Sequence, residues 1–405
     1  MRYIWVVAGS QIQVPLIQEV RRRGYRALVT DGKAECIGRL YADRFEAVDT
    51  YDVVGHVELA RQIRGEGEQI TAILTAGADI GPTVSAVAEE LGLPAAPYDV
   101  AVRCRDKTQM RVTLKAKHPM SVSCFYNPVY KMPSISIAWD HGFGIPLVVK
   151  PADNCGTRGI TVLRGYDEES FQQICAKAAA ANKIAGRILI EELLHPVYEV
   201  ATDSLVWEGK AHFANGVYRF FRRRLGFGLE AGHLNPLTPD DDLLAKIQDA
   251  ATKLGVTWGP FKADFIKDRR YGWVLVECAT RLSGAFDSSH AAPLATGRDV
   301  LGAMLDIALG LPLDKAKLEP KWQKWCFTYA PIYAPGPICG WKDKSDGLPG
   351  IKNVFIRLSE EIPAMIDCAA RPVFIQAVGD TWWQAMARAT RVARVVQPRR
   401  ILDAA

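Results

Sequence analysis

The sequence predicts an α/β protein of two or three domains. Three observations predict it. Strand and helix patterns alternate over the first hundred residues, and near residue 105 the pattern changes to paired strands around glycine-bearing turns. The 405-residue chain is also too long for one simple core. The composition, 49% hydrophobic and 23% charged, is that of an ordinary globular chain rather than a disordered one. A net charge of +5 spread over this length is too mild to argue for a nucleic-acid partner. The nine cysteines, at 36, 104, 124, 155, 175, 278, 326, 339 and 368, form no CxxC and no Cys/His cluster with zinc spacing. They read as small reduced hydrophobes. The N-terminus, MRYIWVVAGS, turns polar too quickly for a signal peptide, and no apolar run approaches the ~18 residues of a membrane span. The expectation is a cytoplasmic protein with neither a membrane nor nucleic acid as partner.

In chain order, Tyr3 to Ala8 reads as a strand, Pro15 to Arg23 as a helix, and Tyr25 to Thr30 as a second strand ending at Asp31. Thr71 to Thr75 and Thr83 to Leu91 repeat strand and helix. This is βαβ logic with a parallel sheet. A strand, a turn at Gly9 and an acid at Asp31 invite a dinucleotide reading. The GxGxxG fingerprint needs three glycines, however, and only Gly9 is present, so a plain α/β module is the better reading. The triplet Arg21–Arg23, just before Gly24, suits the C-terminus of a helix.

From residue 105, Arg105-Asp106-Lys107-Thr108 opens a helical stretch. Residues 147–163, LVVKPADNCGTRGITVL, put Lys150 at the end of an apolar strand, Gly156 and Gly159 in a polar loop, and a second strand from Ile160. Glycine suits both an ordinary hairpin and a phosphate-holding loop, and alone this stretch fits either. It is not a Walker loop, because Lys150 precedes the glycines and no helix follows. A helix from Glu168 to Asn182 comes next, then a strand from Arg187 to Ile190 ending in Glu191-Glu192. A strand pair surrounds Glu199 to Val206 with its turn at Glu208-Gly209, and a helix from Asp240 to Leu254 is ended by Gly255. Phe261 to Ile266 and Trp273 to Glu277 read as antiparallel strands joined by a charged turn. After about residue 321 a last α/β piece ends in a helix from Thr381 to Val396, whose Trp382 and Trp383 read as core.

Two acids stand in apolar strands: Asp264 in FKADFI and Glu277 in WVLVEC. A hairpin can bring both carboxylates to one face, where a hard cation such as magnesium takes one or two carboxylates plus substrate phosphates. Two solvent-facing acids on a ribbon are the alternative. Arg281, in the loop CATRLSGAF, suits charge stabilisation at a transferring phosphoryl group, and Lys107 and Lys150 suit the same phosphates from another side.

Three stretches carry a resemblance: RDKTQMR with LVVKPADNCGTRGITVL, then ILIEELLHPVYEVATD, then GPFKADFIKDRRYGWVLVECATRLSGAFDSSHAAPLATGRDVLGAML. In this order they resemble the ATP-grasp superfamily of carboxylate–amine ligases, in pattern most like its L-amino-acid ligase branch. The resemblance spans nearly the whole chain. It implies a Rossmann-like pre-ATP-grasp domain over 1–104, a two-lobed α+β ATP-grasp domain over 105–320 with a lid at about 140–190, and a small C-terminal α/β domain over 321–405. It also implies ATP and magnesium, with manganese as a substitute, and a homodimer is common among similar enzymes. At matching positions, Lys107 and Lys150 would contact the ATP phosphates and the adenine side. Asn154, Gly156, Thr157, Arg158 and Gly159 would form the glycine-rich lid. Glu191, Glu192 and Leu194 would form the hinge that reads adenine, and Glu199 would lie near the ribose. Asp264 and Glu277 would be the magnesium carboxylates, and Arg281 would steady the acyl-phosphate and the tetrahedral intermediate. His233, in EAGHLNP, resembles the GHxxP histidine near the reacting carboxylate. One departure stands out: the asparagine often found two residues after the second metal acid is Ala279 here, which puts a two-metal site in doubt.

The implied reaction joins a small-molecule carboxylate to an amine, with amino acids as the expected substrates, through an acyl-phosphate and with release of ADP and phosphate. Arg222–Arg224, just before the His233 segment, would favour an acidic substrate if they reached the site; a solvated loop is the other reading. Two rival functions stay open: activation of formate or bicarbonate within the same fold, and nucleotide binding without catalysis.

Overall fold

The computed structural model describes residues 2–182, 186–222, 229–357, 359–365 and 368–400. The first four strands, β1 (Arg2–Val7), β2 (Arg26–Thr30), β3 (Arg44–Glu46) and β4 (Gln69–Leu74), form a sheet of order β3-β2-β1-β4 with parallel pairings throughout. The unbroken apolar run of β1 follows from burial on both faces. Ile4 and Val6 pack with Leu16, Ile17 and Val20 of the helix Val14–Arg22, whereas Trp5 and Val7 pack with Leu59, Ile63 and Val87 on the other side. Asp31 is spent inside this module: its carboxylate accepts the Gly9 N–H at 2.8 Å. Arg23, at the end of the first helix, bonds Glu19 and Asp306, which fits the cationic helix terminus read from the sequence.

β5 (Ser121–Phe125), β6 (Leu147–Pro151), β7 (Thr161–Leu163) and β8 (Arg187–Glu192) form an antiparallel sheet of order β5-β8-β6-β7. The helix Glu168–Ala180 covers it. Asp167 caps this helix by accepting from the amides of Glu169 and Ser170, and Phe171, Cys175 and Ala178 bury against Leu147, Val149 and Ile188.

The largest sheet is eight-stranded and antiparallel. It takes β9 (Pro196–Trp207), β10 (Lys210–Arg222), β11 (Leu229–Asn235), β12 (Gly259–Asp268) and β13 (Gly272–Ala279). It then continues through β14 (Trp325–Tyr329), with β15 (Gly336–Asp343) outside it, and on through β16 (Ile351–Ile356). The order is β13-β12-β9-β10-β11-β14-β18-β16, where β17 (Glu361–Ile362) precedes β18 (Val373–Gly379). β15, β17 and β19 (Val396–Arg400) make a small separate sheet. The large sheet thus runs without a break across residue 320. The helix Asp241–Leu254, capped by the Asp240 carboxylate and ended by Gly255 at φ +83°, packs on one face of it.

Two expectations for the tail are corrected. The last helix is Trp382–Val392, and Val396, expected to end it, opens β19 (Val396–Arg400) instead. Trp382 and Trp383 are not core; they are 53% and 55% exposed. The helix buries Ala385, Ala389 and Val392, small residues that let it lie close on the sheet, and the indoles in its first turn project past that contact. All nine cysteines are free, five of them buried, but Cys339 is exposed and so is not one of the small core hydrophobes expected. Among the described residues no helix is long and apolar enough to cross a membrane.

Candidate active site

A cleft of about 460 Å³ opens between the β5–β8 sheet and the large sheet, walled by Val148, Val162, Leu194, Ile266 and Val276. An apolar slot of this size with a few convergent polar groups is what a small-molecule site requires. Lys150, Glu191 and Glu199 supply polar groups along it.

Lys150 is fixed in β6, a strand with every residue buried. Its ammonium lies 2.5 Å from Glu191 Oε2, while Arg111 donates from Nε to Glu191 Oε1 at 2.8 Å. The remaining Arg111 nitrogens donate to the carbonyls of Leu275 and Val276, just before Glu277. Burial, opposed by Glu191 and reinforced by the positive charges of Arg111 and Lys107, pushes the Lys150 ammonium down to about 8. The next carboxylate, Glu192, is held by the imidazole of His118 and the amide of Met120. His118 stacks on Tyr271 with ring centroids 3.5 Å apart. Leu194 joins Ile266 and Val274 in a small apolar cluster. The two hinge carboxylates are therefore engaged by protein partners, and Leu194 offers an apolar surface to the cleft.

The stretch 154–159 joins β6 to β7 as a strand–loop–strand. Gly156, Thr157 and Gly159 all have positive φ, at +67°, +63° and +72°. A Cβ on Gly159 would stand 2.5 Å from that of Ala181, so glycine is required there for space as well as for backbone angle. Asn154 organises the loop: its Nδ2 donates to Ala181 O, and its Oδ1 accepts from the Cys155 amide and from Arg158.

One residue after the cleft-lining Val276, Glu277 on β13 is the direct cross-strand partner of Asp264 on β12, so both carboxylates share one face. Lys262, two residues before Asp264, lies 2.7 Å from Asp264 Oδ2 and 3.2 Å from Glu277 Oε1. Lys107 Nζ is 3.3 Å from Glu277 Oε2 and also donates to Asn154 O at 2.6 Å. Burial disfavours the Glu277 carboxylate, but Lys262, Lys107, Arg219 and Arg281 outweigh it and hold its pKa well below the usual range.

From Asp264 an alternating chain of charge continues into the sheet. Arg219 donates to Asp264 Oδ2 at 3.0 Å and to Glu230 Oε1 at 2.5 Å. Glu230 Oε1 lies 2.9 Å from His233 Nε2, and His233 Nδ1 is 2.7 Å from Asp287 Oδ2. Burial opposes the His233 imidazolium, yet Asp287 and Glu230 together raise it to about 10, so it is cationic at neutral pH. Arg371 closes the far side through Glu230 Oε2 at 3.2 Å.

Arg281 sits in the loop after β13, 6% exposed, with Nε 3.5 Å from Asp79 of the N-terminal module. This loop is anchored by the buried Asp203, which accepts from the amide and hydroxyl of Ser283 and from the hydroxyl of Ser288. Burial and the nearby Asp287, offset in part by the serines, raise Asp203 to about 6. Ala285 and Phe286 both hold positive φ, and Phe286 stacks on Phe355 with centroids 3.8 Å apart. Strained backbone of this kind persists where packing over-determines it.

The structure thus gathers Lys107, Asn154, Asp264, Glu277 and Arg281 into one cluster beside the cleft, and brings Lys150, Glu191, Leu194 and Glu199 to its walls. Glu192 lines the cleft as well, held by His118 and the Met120 amide. His233, on β11, is three strands from Asp264 on β12 and is connected to it through Glu230 and Arg219. Arg222 donates to the Tyr329 hydroxyl, and Arg223 and Arg224 lie outside the described residues. Sequence reasoning missed Lys262, Arg111, Arg219, Glu230, Asp287, Asp203 and Asp79. Two had a signal: Lys262 is in period-2 alternation with Asp264, and Arg111 is one helical turn beyond Lys107.

No family model matches the chain. An uncharacterized protein, y4rH, of Sinorhizobium fredii (strain NBRC 101917 / NGR234) is 22% identical over 372 residues, covering 89% of this chain and 75% of that one. Solved structures match over nearly the full length. The L-amino acid ligase of Bacillus licheniformis aligns at TM-score 0.79 and 17% identity, covering 99% of each chain. The phosphoribosylglycinamide synthetase of Anaerococcus prevotii aligns at 0.75 and 14%, covering 98% and 99%. The biotin carboxylase domain dimer of Hydrogenobacter thermophilus 2-oxoglutarate carboxylase, solved with MgADP, ADP and bicarbonate, aligns at 0.74 and 17%, covering 98% and 90%.

Proposed function

We propose, from the ATP-grasp fold that this chain carries along nearly its whole length, that the protein is an ATP-dependent ligase joining a carboxylate to an amine, with amino acids as substrates. The observation that carries the reading is the Asp264/Glu277 cross-strand pair, ringed by Lys107, Lys262, Arg219 and Arg281, beside an apolar cleft that Lys150 lines. Lysines and arginines gathered around a carboxylate pair beside such a cleft suit a nucleotide polyphosphate.

The residues fit magnesium, or manganese in its place. Asp264 Oδ1 is buried and has no hydrogen-bond partner, an orphan oxygen that a hard cation beside Glu277 would satisfy. Among the described residues no group of three His, Cys, Asp or Glu side chains gathers around one point, so phosphate oxygens and water would complete the shell. A bound magnesium would offset phosphate charge.

In this reading Lys150 holds the nucleotide from β6, while Lys107 and Lys262 face the polyphosphate. The Asn154–Gly159 loop covers it and excludes water, which a labile acyl-phosphate requires. The substrate carboxylate attacks the γ-phosphorus, giving the acyl-phosphate and ADP. The amine then attacks the acyl carbon, the tetrahedral oxyanion is stabilised by the cationic Arg281 and His233, and phosphate leaves as the amide forms. Asp287 and Glu230 favour the protonated His233, which suits an electrostatic role rather than that of a base. Recognition of adenine at the hinge falls to its backbone and to Leu194, since Glu191 and Glu192 are engaged elsewhere.

The test is a screen of amino-acid pairs for ATP-dependent phosphate release, with product mass read by spectrometry and formate and bicarbonate as parallel arms. An amide product with ADP supports the reading. Turnover driven by formate or bicarbonate alone replaces it with the other chemistry of the fold. Tight ATP binding without ADP in any mixture makes the protein a nucleotide-binding homologue. Glu277→Gln should abolish ADP formation.

A further inference from the structure

The site holds a cation of its own. Lys262 and Ala279 face each other across β12 and β13, as do Asp264 and Glu277 two residues along, so all four side chains project from one face. The Lys262 ammonium takes one oxygen from each acid, at 2.7 Å from Asp264 Oδ2 and 3.2 Å from Glu277 Oε1. It is 6% exposed, so this is a built position rather than a surface pairing. Opposite it, Ala279 contributes a methyl group and no donor atom. Asp264 Oδ1, which has no partner, and Glu277 Oε2, 3.3 Å from Lys107, are the oxygens that remain.

We propose that the Lys262 ammonium is a resident cation that takes the place of one divalent ion, so that the chain loads its nucleotide with a single divalent cation held by Asp264 and Glu277. Arg219 on Asp264 and Lys107 on Glu277 add to Lys262, so three cationic side chains already contact the two acids. An ammonium bridging two acids also blocks a second ion from approaching them together, because two cations so close repel each other strongly inside a protein. A bound lysine needs no dehydration, whereas magnesium gives up water reluctantly. Two of its three donors serve the acids, leaving chemistry suited to a phosphate oxygen as the third acceptor. The inference rests on the nucleotide reading above.

The test counts metal directly. Protein in excess over a non-hydrolysable ATP analogue is titrated with Mn²⁺, and free Mn²⁺ is followed by electron paramagnetic resonance, while a fluorescent nucleotide analogue reports nucleotide binding separately. The expected count is one Mn²⁺ per bound nucleotide for the wild type and for Lys262→Arg, and two for Lys262→Gln, each variant checked for its thermal midpoint. Two Mn²⁺ on the wild-type protein overturns the inference, and this arm needs no variant to fold. One Mn²⁺ on a folded Lys262→Gln also overturns it. Failure to bind nucleotide at any metal concentration overturns both the inference and the reading beneath it, which separates the two kinds of failure.

Discussion

The backbone amide of Cys368 donates a hydrogen bond to the carbonyl oxygen of Gly156 at 3.2 Å. The tip of the glycine-rich loop thereby rests on the C-terminal piece, some two hundred residues away in sequence. Thr157 Oγ1 adds a weaker contact at 3.7 Å to Cys368 Sγ. Order in this loop should depend on the tail as well as on nucleotide.

Gly156→Val tests the loop. Valine at φ +67° is a genuine outlier, and the left-handed region costs an L-residue about 1–2 kcal/mol. The expected outcome is a roughly tenfold rise in KM for ATP. Gly165→Ala, an exposed position with nothing within 4 Å, should leave kinetics unchanged. Equal kinetics for both variants would reduce the loop to a plain hairpin.

Arg111→Lys tests the wall of the cleft. Arg111 ties Glu191 to the carbonyls before Glu277, so one guanidinium aligns both Lys150 and Glu277. Lysine keeps the charge but not the fork. ATP affinity should fall by about tenfold. Arg111→Met, which leaves a buried carboxylate short of a partner, should also destabilise the fold by about 3–5 kcal/mol, read by denaturant titration.

Lys150 gives a pH dependence. A lysine lowered to about 8 is cationic below that value and neutral above it. Its attraction for phosphate is therefore present at pH 7 and lost as the pH rises through 8, so kcat/KM for ATP should decline across pH 8 to 9. The free protein sets this limb, because bound polyphosphate raises the same group. Lys150→Arg should flatten that limb of the profile, whatever it does to the plateau.

Arg281→Ala should retain ATP binding and lose product, by a factor of about 10² to 10³, the usual cost of removing one donor to a developing oxyanion. Equilibrium binding and single-turnover product formation separate the two effects. A normal single-turnover rate would remove Arg281 from the chemistry.

The residues that were legible in the sequence signal locally. The unbroken apolar run of β1 announces a buried parallel strand, and the spacing of Asp264 and Glu277 about a charged turn announces a shared face. Lys150 followed by Gly156 and Gly159 announces a hairpin loop. What stayed hidden depends on distant partners. Arg219 pairs with an acid 45 residues away, Asp203 anchors serines 80 and 85 residues on, and Asp79 meets Arg281 across about half the chain. No periodicity encodes such meetings. Trp382 and Trp383 misled for the opposite reason: size suggested burial, but the helix docks through alanines.

The large sheet hydrogen-bonds β11 to β14 along residues 232–235 and 326–329, without a seam between the strands of Asp264 and Glu277 and the tail. Under load, such strands share stress as one fabric, and a protease nick between them would not free either piece. The tail should therefore melt in step with the carboxylate strands, and deletion from residue 321 onward should yield an insoluble remnant with an exposed strand edge rather than a trimmed enzyme.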